Sequence, residues 1–206
     1  MMKYLFGIIL LFCFSCGSKE DILLPKADRT IVKEIVDLSP IYIFFRVKGK
    51  DTLAEVNRKN SIITTNWVLN IDKRLPLRLV IPEVMKLQQR KREEKEHRNE
   101  LALNYYSYAD SIGKNLAFIP FTNVYYKMEK PKNGFVVYFA KDGKIKINDE
   151  LVTKNDLAKH IIAFNGKQDE IKYCFDKNSS YGSYIQTKVL IDSMATKKEP
   201  TEEFIY

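Results

Sequence analysis

The order of strand and helix patterns from Phe135 to Met194 restricts the fold of this chain more than any other sequence feature. Two apolar strands flank Asp142-Gly143, a pair suited to a tight hairpin because glycine accepts the positive φ that such turns require. Thr153 follows the second strand and can cap a helix with apolar residues at three- and four-residue spacings. Asn165-Gly166 is typical of a helix end, since both residues tolerate the left-handed conformation.

A second strand-and-helix pair completes this segment. Residues 171–175 alternate as a strand does, and a helix is expected from about Tyr181 to Ser193. Residues 203–206 can add a closing strand. The order strand, strand, helix, strand, helix predicts an α+β unit in the C-terminal third of the chain.

Short motifs in this unit carry a family resemblance. They are Asp142-Gly143-Lys144-Ile145-Lys146-Ile147-Asn148, Leu157, Phe175-Asp176-Lys177, Tyr181-Gly182, Ile185 and Leu190. The unit resembles the periplasmic domain of the ExbD-type biopolymer-transport family. The resemblance implies that family's periplasmic fold and its use as a docking surface for peptide segments of envelope-spanning machinery. Family members anchor through a membrane helix bearing an aspartate, whereas Leu5–Phe14 has no acidic residue, so proton coupling does not carry over.

The N-terminus predicts a lipid anchor. Met1-Met2-Lys3 is a short basic start, and the apolar run Tyr4–Phe14 is shorter than the roughly 20 residues that a membrane-spanning helix needs. Ser15-Cys16 then resembles a bacterial lipoprotein cleavage site, with Cys16 as the lipid-bearing residue. We therefore assign residues 1–15 to a signal peptide and 16–38 to a lipidated tether. Its Lys19-Glu20-Asp21 resembles a surface-export signal, and an ordinary solvated linker is the alternative.

This predicted location in the cell envelope limits the classes of partner and the roles of the cysteines. A net charge of +8 favours anionic partners, but an outer-membrane location excludes nucleic acid. Cys13 is removed with the signal and Cys16 is acylated, so Cys174 has no partner within the chain. We interpret Cys174 as a packed strand residue, because no histidine lies nearby in sequence; a catalytic thiol is the alternative.

Residues 39–129 predict an N-terminal α+β module. It has strands at Ile41–Val47, Thr52–Val56 and Ile62–Ile71, and a later strand at Val124–Met128. Asp72-Lys73 follows the third strand as Asp176-Lys177 follows the strand before the last helix. Two related half-modules, the first without the intervening helix, explain this parallel, and convergent strand-turn-helix patterns are the alternative. Residues 130–206 form the second module.

A long polar helix is expected to join the two modules. Gln88–Glu100 contains no apolar residue, while Leu101, Tyr105, Tyr108 and Ile112 recur at helical spacing. An unbroken helix from Glu83 to Ile112 would be about 45 Å long and would have to protrude or bend. Its basic cluster Arg90-Lys91-Arg92 is either a solvated face, a partner-binding site or a contact for anionic headgroups.

Residue patterns typical of catalysis and metal binding are not found in the sequence. His97 and His160 stand alone, and the carboxylate pairs, including Glu202-Glu203, lie in charge runs that look exposed. We therefore expect no enzyme activity, no cofactor and no metal. Three Asp-(Ser/Thr)-aliphatic triplets resemble a bacterial O-glycosylation sequon and make Thr52, Ser111 and Ser193 candidate glycan sites.

The sequence thus leads to three functional hypotheses. The first is a non-enzymatic envelope lipoprotein that docks another envelope protein as an accessory of a transport or assembly complex. The second is a surface-exposed lipoprotein that binds carbohydrate or peptidoglycan. The third is a hydrolase whose site the sequence does not reveal.

Overall fold

The computed structural model describes residues 21–94, 96, 99–164, 171–194 and 201–206. Within these residues the chain forms both strands and helices. The strands are β1 (Lys26–Ala27), β2 (Leu38–Lys48), β3 (Asp51–Asn57), β4 (Asn66–Ile71), β5 (Asn104–Asp110), β6 (Asn115–Pro120), β7 (Val124–Lys127), β8 (Phe135–Phe139), β9 (Ile145–Ile147), β10 (Glu150–Val152), β11 (Ile171–Phe175) and β12 (Thr201–Ile205). The helices are α1 (Leu77–Glu93), α2 (Lys154–Ala163) and α3 (Tyr181–Ser193).

The strands form two mixed sheets of six strands each. In the first sheet β2 pairs antiparallel with β3 and parallel with β4, β4 pairs parallel with β5, and β1 and β6 also pair with β5. In the second sheet the order is β10-β9-β8-β11-β12-β7, with β8, β11, β12 and β7 mutually parallel. The parallel connections β4–α1–β5 and β11–α3–β12 each require a crossover, and a helix supplies it.

Local sequence signals account for the elements of the second sheet. Gly143 has a φ of 82° in the β8–β9 turn, a value that L-residues rarely adopt. Thr153 caps α2 by accepting a hydrogen bond from the backbone N–H of Asp156, and Ser180 caps α3 by accepting from Ser183. The α+β class predicted from the sequence is confirmed, and α3 has the bounds expected for it.

The first half of the chain, from β2 to β5, and the second half, from β8 to β12, share one topology. Each has an antiparallel hairpin, a third strand parallel to the first, a helix and a fourth strand parallel to the third; only the second half adds β10 and α2. The backbone N–H of Asp72 donates to the carbonyl of Ile43 at 3.0 Å, and that of Asp176 donates to Phe139 at 3.1 Å. The sequence likeness around the two aspartates therefore reflects one repeated strand-to-helix connection.

These two connections meet each other through symmetric hydrogen bonds. The backbone N–H of Leu77 donates to Ser179 at 3.0 Å, and the equivalent N–H of Tyr181 donates to Leu75 at 2.7 Å. A β-bridge joins Pro76 and Ser180, the residues that precede α1 and α3. The two connections thus pair reciprocally, antiparallel to each other, just before the first turns of α1 and α3.

One continuous core joins the halves. Buried side chains of both sheets and all three helices form a single cluster. Strand β7, which lies before the expected module boundary at 129, pairs with β12 at the edge of the second sheet. The second sheet is therefore completed by a strand from the region that we assigned to the first module.

The prediction of a long helix from Glu83 to Ile112 is wrong. Helix α1 ends at Glu93, and the residues that were to continue it form β5, where Tyr106 and Tyr108 are fully buried. Leu101 and Ile112, the ends of the apparent helical stripe, are 87% and 73% exposed. The buried side chains of α1 end at Leu87 and Gln88, and the polar residues that follow Glu93 give no apolar face that could pack a longer helix against the core. None of the helices within the described residues is long and apolar enough to cross a membrane.

Candidate functional site

A concave surface in the described residues forms a groove along the outer face of α3. Two adjoining cavities of about 410 and about 480 Å³ form it and share Lys154, Gln186 and Leu190. The first cavity lies between α3 and the β8–β9 turn, and the second continues to β1. We call these two cavities together the basic groove.

Cations dominate the charge of the basic groove. The charged side chains that line it are Lys26, Arg29, Lys141, Lys144, Lys154 and one carboxylate, Asp28. Lys144 forms an ion pair with Asp142 outside the lining, with a distance of 2.6 Å. In the described part of the chain, the other four cations form no ion pair with a carboxylate. The groove therefore presents a net positive charge to any ligand that enters it.

The rest of the lining combines apolar and hydrogen-bonding side chains. Ile145, Leu151, Val152 and Leu190 supply apolar surface in the first cavity. Leu151 is 66% exposed, so this surface is open to solvent at the groove mouth. Ser183, Gln186 and Thr187 line the groove from α3, and the Gln186 side chain donates to the carbonyl of Lys26 at 3.1 Å.

A buried polar network lies beneath α3. Tyr184 and Lys188, one turn apart, both donate to the Glu203 carboxylate on β12; the Tyr184 bond is 2.6 Å long. The Tyr184 hydroxyl also contacts that of Tyr126 on β7 at 3.2 Å, and Tyr126 contacts Tyr106 on β5 at 2.7 Å. The network therefore links α3 to both sheets and positions the helix whose outer face forms the groove wall.

Burial determines the ionisation of this network. Desolvation holds the pKa of Tyr106, Tyr126 and Tyr184 well above the ordinary tyrosine value. All three hydroxyls therefore keep their protons and remain hydrogen-bond donors. The side chains of Lys188 and Glu203 are 4% and 2% exposed, so each charge depends on the other for compensation.

Tyr181 differs from its neighbours in the same cluster. Its ring packs edge-on against Tyr106 with a centroid distance of 5.7 Å and is fully buried. Its hydroxyl is the one buried polar side-chain atom without a hydrogen-bond partner that is found among the described residues. The ring therefore contributes packing while the hydroxyl carries an uncompensated desolvation cost.

The basic cluster predicted on the polar helix has a structural role at two of its three positions. Lys91 donates to Thr65, Leu103 and Asn104 at 2.9, 3.3 and 3.1 Å. Arg92 donates to the carbonyl of Thr122 at 2.9 Å. These bonds fasten the last turn of α1 to the adjacent strands and loops. Lys91 is therefore partly buried, while Arg92 remains on the solvent-exposed face.

The remaining member of that cluster and its surroundings carry mixed charge. Arg90 is exposed and lines a shallow surface with Lys86, Glu93 and Glu94. Lys86 pairs there with Glu83 at 2.7 Å. Arg90 remains a candidate contact for a partner, but its neighbourhood has no excess of positive charge.

Two of the three candidate glycan sites converge on the basic groove. Ser111 and Ser193, far apart in sequence, both line its second cavity. The Ser111 hydroxyl donates to Ala27 at 2.8 Å and that of Ser193 to Leu190 at 2.6 Å, although both residues are exposed. Thr52 lies half-buried on the edge strand β3. A sugar on either serine would occupy the mouth of the groove.

The cysteines and histidines give no second site. Cys16 and His97 lie outside the described residues, and His160 is exposed on α2. Cys174 is fully buried, and burial raises the pKa of its thiol to about 12, which agrees with a packed strand residue. Within the described ranges, no three His, Cys, Asp or Glu side chains are placed to hold a metal ion.

Sequence reasoning missed the buried ion pair. Glu203 was placed in an exposed charge run, but it is 1% exposed because β12 is an interior strand of the second sheet. A signal was present on α3, where Lys188 falls at helical spacing among Tyr181, Tyr184, Ile185 and Ile191. A single lysine on an apolar stripe indicates a buried acidic partner.

Comparison of the chain with protein-family models, curated proteins and solved structures finds no match.

Proposed function

We propose that the protein is a non-enzymatic lipoprotein of the cell envelope, anchored in the outer membrane by lipid on Cys16. In this proposal it docks another envelope protein as an accessory of a transport or assembly complex. The basic groove is the observation that carries the proposal, because it combines exposed apolar surface, a helix held by a buried polar network, and positive charge with no ion-pair partner among the described residues. Such a surface fits a protein segment better than it fits a small substrate, which most enzymes enclose.

The resemblance to the ExbD-type family supports the same function. The motifs that carry the resemblance lie in the second half of the chain, and residues of that half line the first cavity of the groove. In that family the periplasmic domain serves as a docking surface. The role we propose therefore involves docking and no proton coupling.

Lipid anchoring is tested by Cys16→Ser. The variant should lose lipid labelling and should be found soluble or with its signal peptide uncleaved, because the lipid supplies the membrane affinity that the polar mature chain lacks. Labelled fatty acid, mass spectrometry and membrane fractionation measure the outcome. Recovery of the variant in the outer-membrane fraction with the mass of the wild type would contradict the anchor.

Docking is tested by cross-linking in intact cells. A photo-reactive residue at position 186, on the groove wall, should capture a protein that mass spectrometry identifies. The same residue at position 90 tests the cluster on α1, and position 59, exposed on the β3–β4 loop, is the control. Capture of the same proteins at all three positions, or of none at position 186, would count against docking in the groove.

A second candidate function is binding of carbohydrate or peptidoglycan. Hydroxyl and amide side chains on α3 beside lysines provide hydrogen bonds and charge for an acidic glycan. Co-sedimentation with peptidoglycan sacculi, compared between the wild type and Gln186→Ala, would distinguish this function. Binding that depends on Gln186, without capture of protein at that position, would favour it.

A further inference from the structure

We propose that the basic groove receives an acidic peptide segment of its partner, with a large apolar side chain seated against Leu151 and Leu190. This inference rests on the docking function proposed above and specifies the chemistry of the partner. Three features of the groove lead to it: the balance of charge, the position of Lys154 and the exposed apolar surface.

The charge of the groove is complementary to carboxylates. Lys26, Arg29, Lys141 and Lys154 have no ion-pair partner among the described residues, and Asp28 is the one carboxylate found in the lining. The cations are spread over both cavities, so an extended ligand meets positive charge along its length. Acidic side chains at intervals along a peptide match that arrangement.

Lys154 lies where a helix disfavours a cation. It is the first residue of α2, and the N-terminus of a helix carries partial positive charge that repels it. It is also exposed and lines both cavities at the point where they join. Its charge therefore does not serve the stability of α2, and it is well placed to meet an anionic group in the middle of the groove.

The apolar surface restricts the occupant further. Leu151 is 66% exposed at the groove mouth, and Leu190 is half-buried on α3 between the two cavities. An apolar side chain of a ligand can cover both leucines and gain burial that a simple anion cannot. A flat membrane surface does not reach into a recess, whereas a peptide segment does.

A random peptide library tests the proposal. The full-length lipidated chain, solubilised in neutral detergent, should select peptides in which Asp or Glu alternates with a large aliphatic or aromatic residue. For the best such peptide, Lys154→Glu should weaken binding about tenfold, and added salt should narrow the difference. The change places an acid in the first turn of α2, so its stability should not fall.

Two further variants complete the design. Lys59→Glu reverses an exposed lysine on the β3–β4 loop, outside the groove, and should bind as the wild type does. Leu151→Thr removes the apolar contact and retains strand propensity. It should therefore weaken the binding of peptides that carry the apolar residue and leave the affinity for purely acidic peptides unchanged. Equal loss with Lys59→Glu would show a non-specific charge effect and would overturn the proposal.

Other occupants of the groove give different results. Peptides without acidic residues, or with unchanged affinity for Lys154→Glu, would overturn the proposal. The Glu20→Gln/Asp21→Asn double variant removes the acidic charge of the chain's own tether. If only this variant selects peptides, the tether occupies the groove in the wild type, and the proposal of an external partner is wrong. The absence of selection in every variant also contradicts it. Protein capture at position 186 in cells tests docking separately. The docking function can therefore be confirmed even if the proposal of an acidic peptide is contradicted.

Discussion

At the scale of single residues, two neighbouring tyrosines of the buried cluster differ in whether the hydroxyl has a hydrogen-bond partner. Tyr184 donates to the buried Glu203 carboxylate at 2.6 Å, whereas the Tyr181 hydroxyl has no partner among the described residues. Both rings are buried in the same environment. The two positions therefore allow the hydroxyl contribution to be measured at constant ring packing.

We expect opposite effects from removing these hydroxyls. Tyr184→Phe should lower the free energy of unfolding by about 1.5–3 kcal/mol, because a buried charge loses a donor. Tyr181→Phe should raise it by about 1 kcal/mol, since an unsatisfied buried hydroxyl is removed. Urea denaturation of both variants measures the difference. A loss of stability in Tyr181→Phe as large as that in Tyr184→Phe would show that its hydroxyl has a partner.

At the scale of elements, the last turn of α1 depends on a partly buried lysine that has no carboxylate partner among the described residues. Burial lowers the pKa of Lys91 to about 8, from 10.5, while its ammonium lies 4.9 Å from the centre of the Trp67 ring. Between these two values the unfolded chain binds the proton and the folded chain does not. Stability therefore rises with pH across this window, up to about pH 10, where tyrosines of the unfolded chain begin to ionise.

Lys91→Met removes the titrating group and keeps the length of the side chain. From about pH 7 to about pH 9.5, the wild type should gain stability relative to this variant. Denaturation of both proteins at the two pH values measures the gain, and groups common to both cancel in the comparison. A constant difference between the proteins would mean that Lys91 does not change its ionisation across this range.

Helix α3 is held by the ion pair on its inner face. Lys188→Met should lower the free energy of unfolding by about 3–5 kcal/mol, because Glu203 is then buried without a compensating charge. The double variant Lys188→Met/Glu203→Gln should recover most of this loss, since the amide carbonyl can still accept from Tyr184. Lys159→Met, which removes an exposed ion pair on α2, should leave stability nearly unchanged.

At the scale of the whole molecule, the shared core should make the two halves unfold together. Tyr181 and Tyr184 of the second half pack against Tyr106 of the first, and β7 completes the second sheet. Trp67 is the only tryptophan and lies in the first sheet, so its fluorescence reports on that half. Its midpoint in urea should coincide with that of far-UV circular dichroism, which reports on both halves.

The same cooperativity predicts that a separate second half does not fold. A fragment of residues 130–206 lacks β7 and exposes the tyrosine cluster, so it should show no cooperative transition. Two separate transitions in the intact chain, or a cooperatively folded fragment, would indicate independent domains.

The sequence by itself determined the local elements of this protein. The Asp142-Gly143 turn, the Thr153 cap and the bounds of α3 follow from turn chemistry, capping and helical spacing, all of which act over a few residues. The likeness between the connections at Asp72 and Asp176 was also visible, because the same short hydrogen-bonded turn recurs. These features need no knowledge of distant contacts.

Only the tertiary structure decided which residues are buried and which are brought together. Residues 101–112 fit a helical pattern, yet β4 and β6 on either side of them make a strand that buries Tyr106 and Tyr108. Glu203 looked exposed until its strand was placed inside a sheet beside α3. The basic groove joins β1, the β8–β9 turn, α2 and α3. Strand pairing and burial depend on partners far apart in the chain, and that information is absent from local patterns.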